Sequence, residues 1–338
     1  MATAKKLPSG AYRCLVFDGK DASGKRVYKS FTADTKKEAE FLASQYLTDK
    51  DSRKKKKSDE LFSDGVKRYI TDKEAVLSPA TIRGYRNIER MLLKDFPYFC
   101  AMKKSDIEQE HIQNVINEIS KTKSPKTVRN YHGLISAVMG KELILDTTMP
   151  QKIMPELYIP ADEEIKALIK AVEGTELEIP VLLGAFGMMR RGEICALNAR
   201  KDIKGNTIHV HQSLVLGDDK KWHLKPPKTT SSDRYIEVPQ FVIDKIKKAG
   251  HITTLNPHSL SIMFQRVLER NNLQHFRFHD LRHYSASIRH ALGIPDAYIM
   301  ADGGWSSDKV LKAVYRHAMS DRKKEMSNKA NSHFESLL

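Results

Sequence analysis

The chain has 338 residues, 40% of them hydrophobic, which is too long for one small core and enough to fill two or three. Lys and Arg outnumber Asp and Glu by 57 to 42, and the net charge of +15 points to a polyanionic partner, with nucleic acid the first candidate. No apolar run reaches bilayer-spanning length and no signal-type leader is seen, while Cys14, Cys100 and Cys195 lie far apart in no metal-ligand pattern. The expectation is a reduced, cytoplasmic compartment and no membrane.

Residues 1–57 hold 15 Lys or Arg against 7 Asp or Glu, so this short stretch carries +8 of the total and reads as a separate DNA-contacting module. Tyr12 to Phe17 and Val27 to Thr32 are predicted strands, joined by a loop containing Asp18, Gly19, Ser23 and Gly24. Thr35 to Leu47 follows as a helix, which gives a small sheet backed by one helix. Aromatic and basic residues alternate in Tyr12-Arg13 and Tyr28-Lys29, so one face can pack on the helix while the other meets phosphates. Tyr12, Arg13 and Lys29 are the candidate DNA contacts here, although packing alone also accounts for the aromatics. Arg53 to Lys57 is a self-repelling run of charge, read as a linker that either lies along a phosphate backbone or is a solvated tether.

From Ser58 to about Lys141 the pattern is helical and contains an internal echo. Ser78-Pro79-Ala80-Thr81-Ile82-Arg83-Gly84-Tyr85 agrees with Ser124-Pro125-Lys126-Thr127-Val128-Arg129-Asn130-Tyr131 at Ser, Pro, Thr, Arg and Tyr. In each copy Ser can cap a helix and Pro can take its first position, where the missing N–H costs nothing. Arg83, Lys126 and Arg129 then fall near helix N-termini, where basic side chains and free N–H groups together can grip phosphate. Ordinary helix starts with solvent-facing side chains are the other reading. A Pro-bounded stretch from Met149 to Pro160 is the next linker, and Asp162-Glu163-Glu164 opens an amphipathic helix. The remainder is predicted helical through Leu197, stranded at Thr207 to Leu216, Lys221 to Leu224 and Arg234 to Val238, and helical again to the end.

Four segments of this last part place phosphate-binding and proton-transfer groups at element ends. In Gly187-Met188-Met189-Arg190-Arg191-Gly192-Glu193-Ile194 an apolar helix meets a turn, and Arg190, oriented by Glu193, can fork toward a phosphate. Pro227-Lys228-Thr229 sets Lys228 on a hairpin, where it can protonate a leaving oxygen; the alternative is a solvated lysine. In His279-Asp280-Leu281-Arg282-His283 the first and fourth residues share a helix face and can meet one phosphate. A zinc pair of His279 and His283 is disfavoured by the cation of Arg282 beside it, and His283 reads as a packing residue. Finally, Gly303-Gly304-Trp305-Ser306-Ser307 precedes Tyr315, a nucleophile only if its neighbours stabilise phenolate.

Together these segments resemble the tyrosine recombinases of the phage-integrase family, and most of all the integrases of phages and conjugative transposons. The likeness extends over nearly the whole chain. Gly187 to Glu193 resembles the first arginine box, T-G-x-R-x-G-E, with Gly187 in place of Thr. Pro227-Lys228-Thr229 resembles the hairpin lysine motif, with Lys225 as a second candidate, and His279 to His283 agrees with the H-x-L-R-H box throughout. Trp305 stands where most members carry His, and its indole can donate but not relay a proton.

The resemblance implies a multidomain, mainly α chain with small β-sheets. Its parts would be an arm-type DNA-binding domain with a three-stranded sheet and helix over 1–57, a helical SAM-like core-binding bundle over 58–150, and an α+β catalytic domain over 151–338. It implies site-specific strand exchange, integrating and excising a mobile or viral genome, with Arg190, Lys228, His279, Arg282, Trp305 and Tyr315 as catalytic residues and no metal or other cofactor. The implied partners are double-stranded attachment-site DNA of core and arm type, a homo-tetramer on synapsed DNA, and an excisionase or host DNA-bending protein, in a bacterial nucleoid. A catalytically inactive DNA-binding relative and a type IB topoisomerase-like relaxing enzyme are the alternatives. The 23 residues after Tyr315, basic at Arg322-Lys323-Lys324 and apolar at Phe334 and Leu337, either fold back or dock on a neighbour.

Overall fold

Alternation of side chains sorts the N-terminal strands into a covered and an open face. The computed structural model describes residues 3–20, 25–55, 60–140, 146–152, 158–227, 230–308, 311–312, 328 and 331–336. In it, β1 (Lys5–Lys6), β2 (Tyr12–Lys20) and β3 (Arg26–Ala33) form an antiparallel sheet with β2 in the middle. Cys14 and Val16 pack with Ala4, Ala39 and Ala43, the last two from α1 (Lys36–Lys55). Arg13, Leu15 and Phe17 alternate onto the open face, where Phe17 meets Tyr28 edge-on at 5.8 Å. The β2–β3 register slips between Phe17 and Gly19, and Gly19 takes a φ of 133° that the bulge requires. The helix continues past the expected end at Leu47 to Lys55. No Pro or Gly interrupts that stretch, and Asp49 and Asp51 are interleaved with its cations.

The following helices are α2 (Phe62–Lys73), α3 (Pro79–Asp95), α4 (Pro97–Cys100), α5 (Gln109–Ser120) and α6 (Pro125–Met139). Both echoed segments start helices where the cap argument places them. Ser78 Oγ accepts from Thr81 N at 3.3 Å and Ser124 Oγ from Thr127 N at 3.4 Å. By contacts the chain divides into one unit of residues 1–69 with 88–150, and a second of 70–87 with 151–338, so α2 and α3 contribute to both. In the first unit Phe62, Leu92, Ile112, Ile116, Leu134 and Ile135 are buried, and Phe62 packs on Phe99 with ring centroids 4.7 Å apart.

The second unit is organised around α8 (Glu178–Phe186), whose residues Ile179 to Ala185 are all buried because it is apolar all round. It packs against α7 (Asp162–Val172), α10 (Gln240–Ala249) and α12 (Asp280–Ala291), with α9 (Arg191–Ile194), α11 (Pro257–Arg270) and α13 (Asp296–Gly303) around them. Strands β4 (Ile203–Lys204) and β5 (Thr207–Val210) belong to one sheet, β6 (Ser213–Leu216) and β7 (Trp222–Lys225) form a hairpin, and β8 (Arg234–Glu237) returns beside β5. The stretch from Thr207 to Leu216, expected as a single strand, is therefore two. It breaks where His211 hydrogen-bonds Asp202 at 3.1 Å and Gln212 Nε2 donates to the Ala196 carbonyl at 2.9 Å. Among the described residues no helix is long and apolar enough to cross a membrane.

Candidate active site

The first arginine segment begins where α8 runs out. A Cβ on Gly187 would lie 2.9 Å from the Leu183 carbonyl oxygen, so only glycine fits that end. The chain then reverses through Met188 at a φ of 52° and enters α9 with Arg190 as its N-cap. Glu193, one turn on, accepts from the Arg190 backbone N–H at 2.9 Å and from its Nη1 at 2.6 Å. Backbone and guanidinium of Arg190 are thus both held by one carboxylate, and Nη2 is 3.5 Å from the Gly304 carbonyl oxygen.

His279 occupies the N-cap position of α12 rather than lying inside it, with Asp280 as the first helical residue. Asp280 is buried and accepts from the Arg277 backbone at 2.7 Å, while Phe278 and Leu281 enter the core and fix the helix start. That rotation turns Arg282 inward until it is 0% exposed. Its Nη1 donates to the Met188 carbonyl at 2.5 Å and its Nη2 to the Gly303 carbonyl, and its Nε is buried with no hydrogen-bond partner among the described residues. The Trp305 ring covers the guanidinium at 4.3 Å, a stacking contact. Gly303 and Gly304 make this possible. A Cβ on Gly303 would fall 2.6 Å from the indole, and Gly304 closes α13 in the left-handed region at a φ of 59°.

One residue that sequence reasoning passed over completes the cluster. Arg234 is 6% exposed and donates Nη2 to Glu193 Oε2 at 2.9 Å, Nε to the Asp302 carbonyl at 2.6 Å and Nη1 to the Ser232 carbonyl at 3.2 Å. A readable signal existed, since alternation in β8 sets Arg234 on the same buried face as Ile236.

Two guanidinium groups, those of Arg190 and Arg234, therefore hold one carboxylate. Burial pushes the Glu193 carboxyl up, but the hydrogen bond and charge of Arg234, joined by Arg190, outweigh it and keep it below the usual carboxylate range. Burial pushes the Arg282 guanidinium down, and Arg190 adds to that push, with only Glu193 opposing. His279 opens onto a cavity of about 810 Å³ that Arg190, Arg191, Ser261 and Arg277 also line. Desolvation of its ring, with His283, Arg282 and Arg190 nearby, brings it down to about 4, so it is neutral at pH 7 and has a lone pair for a proton. A second cavity of about 440 Å³ is lined by Arg190, Gln212, Lys225, Trp305 and Ser306. An oxyanion between these walls would meet forked N–H donors fixed before it arrives, the condition for stabilising charge that develops at phosphorus.

Lys228 and Tyr315 lie outside the described residues, as does most of the stretch after Tyr315. Lys225 ends β7 and lines the smaller cavity. His283 is buried edge-on to His279 at 4.8 Å. Of the N-terminal candidates, Arg13 is exposed on the open sheet face, Tyr12 packs against the core side, and Lys29 Nζ sits 4.4 Å over the Tyr46 ring. Arg83 and Lys126 are exposed. Arg129 donates to the carbonyls of Pro125 and Pro150, at 3.2 and 2.8 Å, so it ties its own helix to the following segment.

No family model matches the chain. The chain is 25% identical to a tyrosine recombinase XerC-like protein of Caldanaerobacter subterraneus subsp. tengcongensis, across 92% of this chain and 93% of that one. Among solved structures, the Tn1549 transposon integrase in complex with transposon right-end DNA superposes with a TM-score of 0.64 at 16% identity, over 80% of this chain and 100% of that one. A lambda integrase tetramer bound to a Holliday junction superposes with a TM-score of 0.57 at 14% identity, over 92% and 94%. The fold is shared with both.

Proposed function

We propose that the chain is a tyrosine recombinase of the phage-integrase family, as its 25% identity to a XerC-like relative and its shared fold support, and that it breaks and rejoins duplex DNA at specific sites through a 3′-phosphotyrosyl intermediate. The observation that carries this reading is the convergence, from segments far apart in sequence, of Arg190, His279 and Trp305 on open cavities, with Arg282 buried against Trp305. Tyr315 Oη attacks the scissile phosphorus as its proton passes to His279. The bond from phosphorus to the 5′-oxygen breaks, and Lys228 protonates the departing oxygen. Arg190 and Arg282 neutralise the non-bridging oxygens as charge develops on them, while Trp305 covers Arg282 and donates to one oxygen. Attack by a 5′-hydroxyl of a partner strand reverses the step with the proton roles exchanged, so bond energy is conserved and no nucleotide is consumed.

Three modules divide the work, residues 1–57 on arm sites and 58–150 and 151–338 on the core site, in a bacterial cytoplasm. Arg13 is the N-terminal contact with the best placement, and Arg83 and Lys126 are free to approach phosphates. Four copies assemble on paired sites, with an excisionase or DNA-bending protein setting direction. The deciding experiment is covalent trapping on nicked attachment-site DNA. The wild-type protein should form a protein–DNA adduct and Tyr315→Phe none, with duplex binding retained. An adduct in Tyr315→Phe would refute the assignment, and equal relaxation of plasmids lacking a site would favour a topoisomerase.

A further inference from the structure

Arg234 contacts three parts of the active site, and each of its guanidinium nitrogens is taken up by a protein acceptor. Through Glu193 it reaches Arg190, because the two arginines share that carboxylate: Arg190 Nη1 is 2.6 Å from Oε1 and Arg234 Nη2 is 2.9 Å from Oε2. Through the Asp302 carbonyl at 2.6 Å it holds the end of α13, from which the chain turns into Gly303, Gly304 and Trp305. The turn packs directly on it, since a Cβ at Gly304 would lie 3.2 Å from Arg234 Cδ and Nη1. Through the Ser232 carbonyl at 3.2 Å it fixes the chain leading into β8. A lysine could neutralise Glu193 but could not span three acceptors in different directions, as the planar fork does.

We propose that Arg234 is a positioning residue for strand cleavage: its guanidinium locks the Glu193 carboxylate that aims Arg190 and the Gly303–Trp305 turn that covers Arg282, setting both phosphate-binding arginines at once. This deepens the recombinase reading and rests on it. Without Arg234, Glu193 keeps a buried charge with one cation in place of two, and draws the Arg190 guanidinium in toward itself and away from the phosphate. The loss then appears in the step that needs charge neutralised at phosphorus and not in duplex affinity, which is spread over many contacts.

The test is single-turnover adduct formation at saturating nicked core-site DNA, with affinity measured separately by gel shift. In Arg234→Ala the adduct rate should fall on the order of 100-fold, the cost of slight misplacement of a reacting constellation, with DNA affinity unchanged. Arg234→Lys should recover part of the rate. The discriminating readout is a substrate whose scissile phosphate is replaced by neutral methylphosphonate. Because one non-bridging charge is already gone, correct aiming of the arginines matters less, and most of the gap to wild type should close. A purely structural defect would slow both substrates equally, and that result overturns the proposal. So does a wild-type adduct rate in Arg234→Ala on ordinary DNA. If Arg234→Ala fails to fold, Arg234→Lys carries the test: a rate equal to wild type, or a loss the same on both substrates, counts against the proposal. Absence of any adduct with the wild-type protein would instead refute the recombinase reading, which separates the two failures.

Discussion

Met188 is buried and carries a φ of 52°, a conformation that costs a side-chain-bearing residue about 1 kcal/mol or more. It stands at the glycine of the T-G-x-R pattern, so the chain keeps the turn while filling the space with a side chain packed against Ala286, Ile299 and Leu311. The turn is needed because the Met188 carbonyl accepts from Arg282. Strain and packing can be separated by two substitutions. Met188→Ala keeps the strain and loses the packing, at a cost of about 2–5 kcal/mol. Met188→Gly loses slightly more packing but relieves the strain, and is expected to be the more stable by roughly 1 kcal/mol in denaturant titration. An alanine variant more stable than the glycine variant would mean that the backbone is relaxed there. His283 offers a test in pH. Burial brings its imidazole down to about 4, against an ordinary value near 6.5. The unfolded chain takes up that proton first as pH falls, so stability is lost from about pH 6.5 down to about 4. Between about pH 7.5 and about pH 5 the contribution is roughly 2 kcal/mol, and in His283→Gln the difference in unfolding free energy between those conditions should shrink by about that amount.

At the scale of elements, what could be read in the chain was what local chemistry decides. Ser78-Pro79 and Ser124-Pro125 start helices because cap and proline act within one turn of themselves, and α8 was legible from its unbroken apolar run. The H-x-L-R-H box placed His279 and Arg282 together, but only Phe278 and Leu281 entering the core decide that the helix starts after His279. The break between β5 and β6 depends on Asp202 and Ala196, partners across turns that no periodicity encodes. Arg234 and Glu193 are 41 positions apart, and the stacking of Trp305 on Arg282 rests on two glycines that sequence shows only as a turn. The N-terminal sheet is an element with its own small core, so its removal is informative. Deleting residues 1–57 should abolish binding to arm-type DNA in a gel shift while adduct formation on nicked core-site DNA persists. Undiminished arm binding by the truncated protein would show that the sheet has another role.

Over the whole molecule, a net charge of +15 means that added salt should weaken duplex binding as counterions compete for the phosphates. The cleft lined by Arg190, Arg191 and Arg277 has the opposite consequence for the unbound protein. Whatever occupies the folded cleft and has no site on the unfolded chain shifts the folding equilibrium by mass action. Sulfate and phosphate have tetrahedral oxygens that accept from forked guanidinium groups, whereas chloride has none. At matched ionic strength, sulfate at about ten times its dissociation constant should therefore raise the unfolding free energy by roughly 1.4 kcal/mol over chloride. The increment should largely vanish in Arg190→Ala, as read by thermal melts of both proteins in both salts. The same buffer that drives the protein off DNA would then be the one that best preserves it, so storage and assay call for different anions.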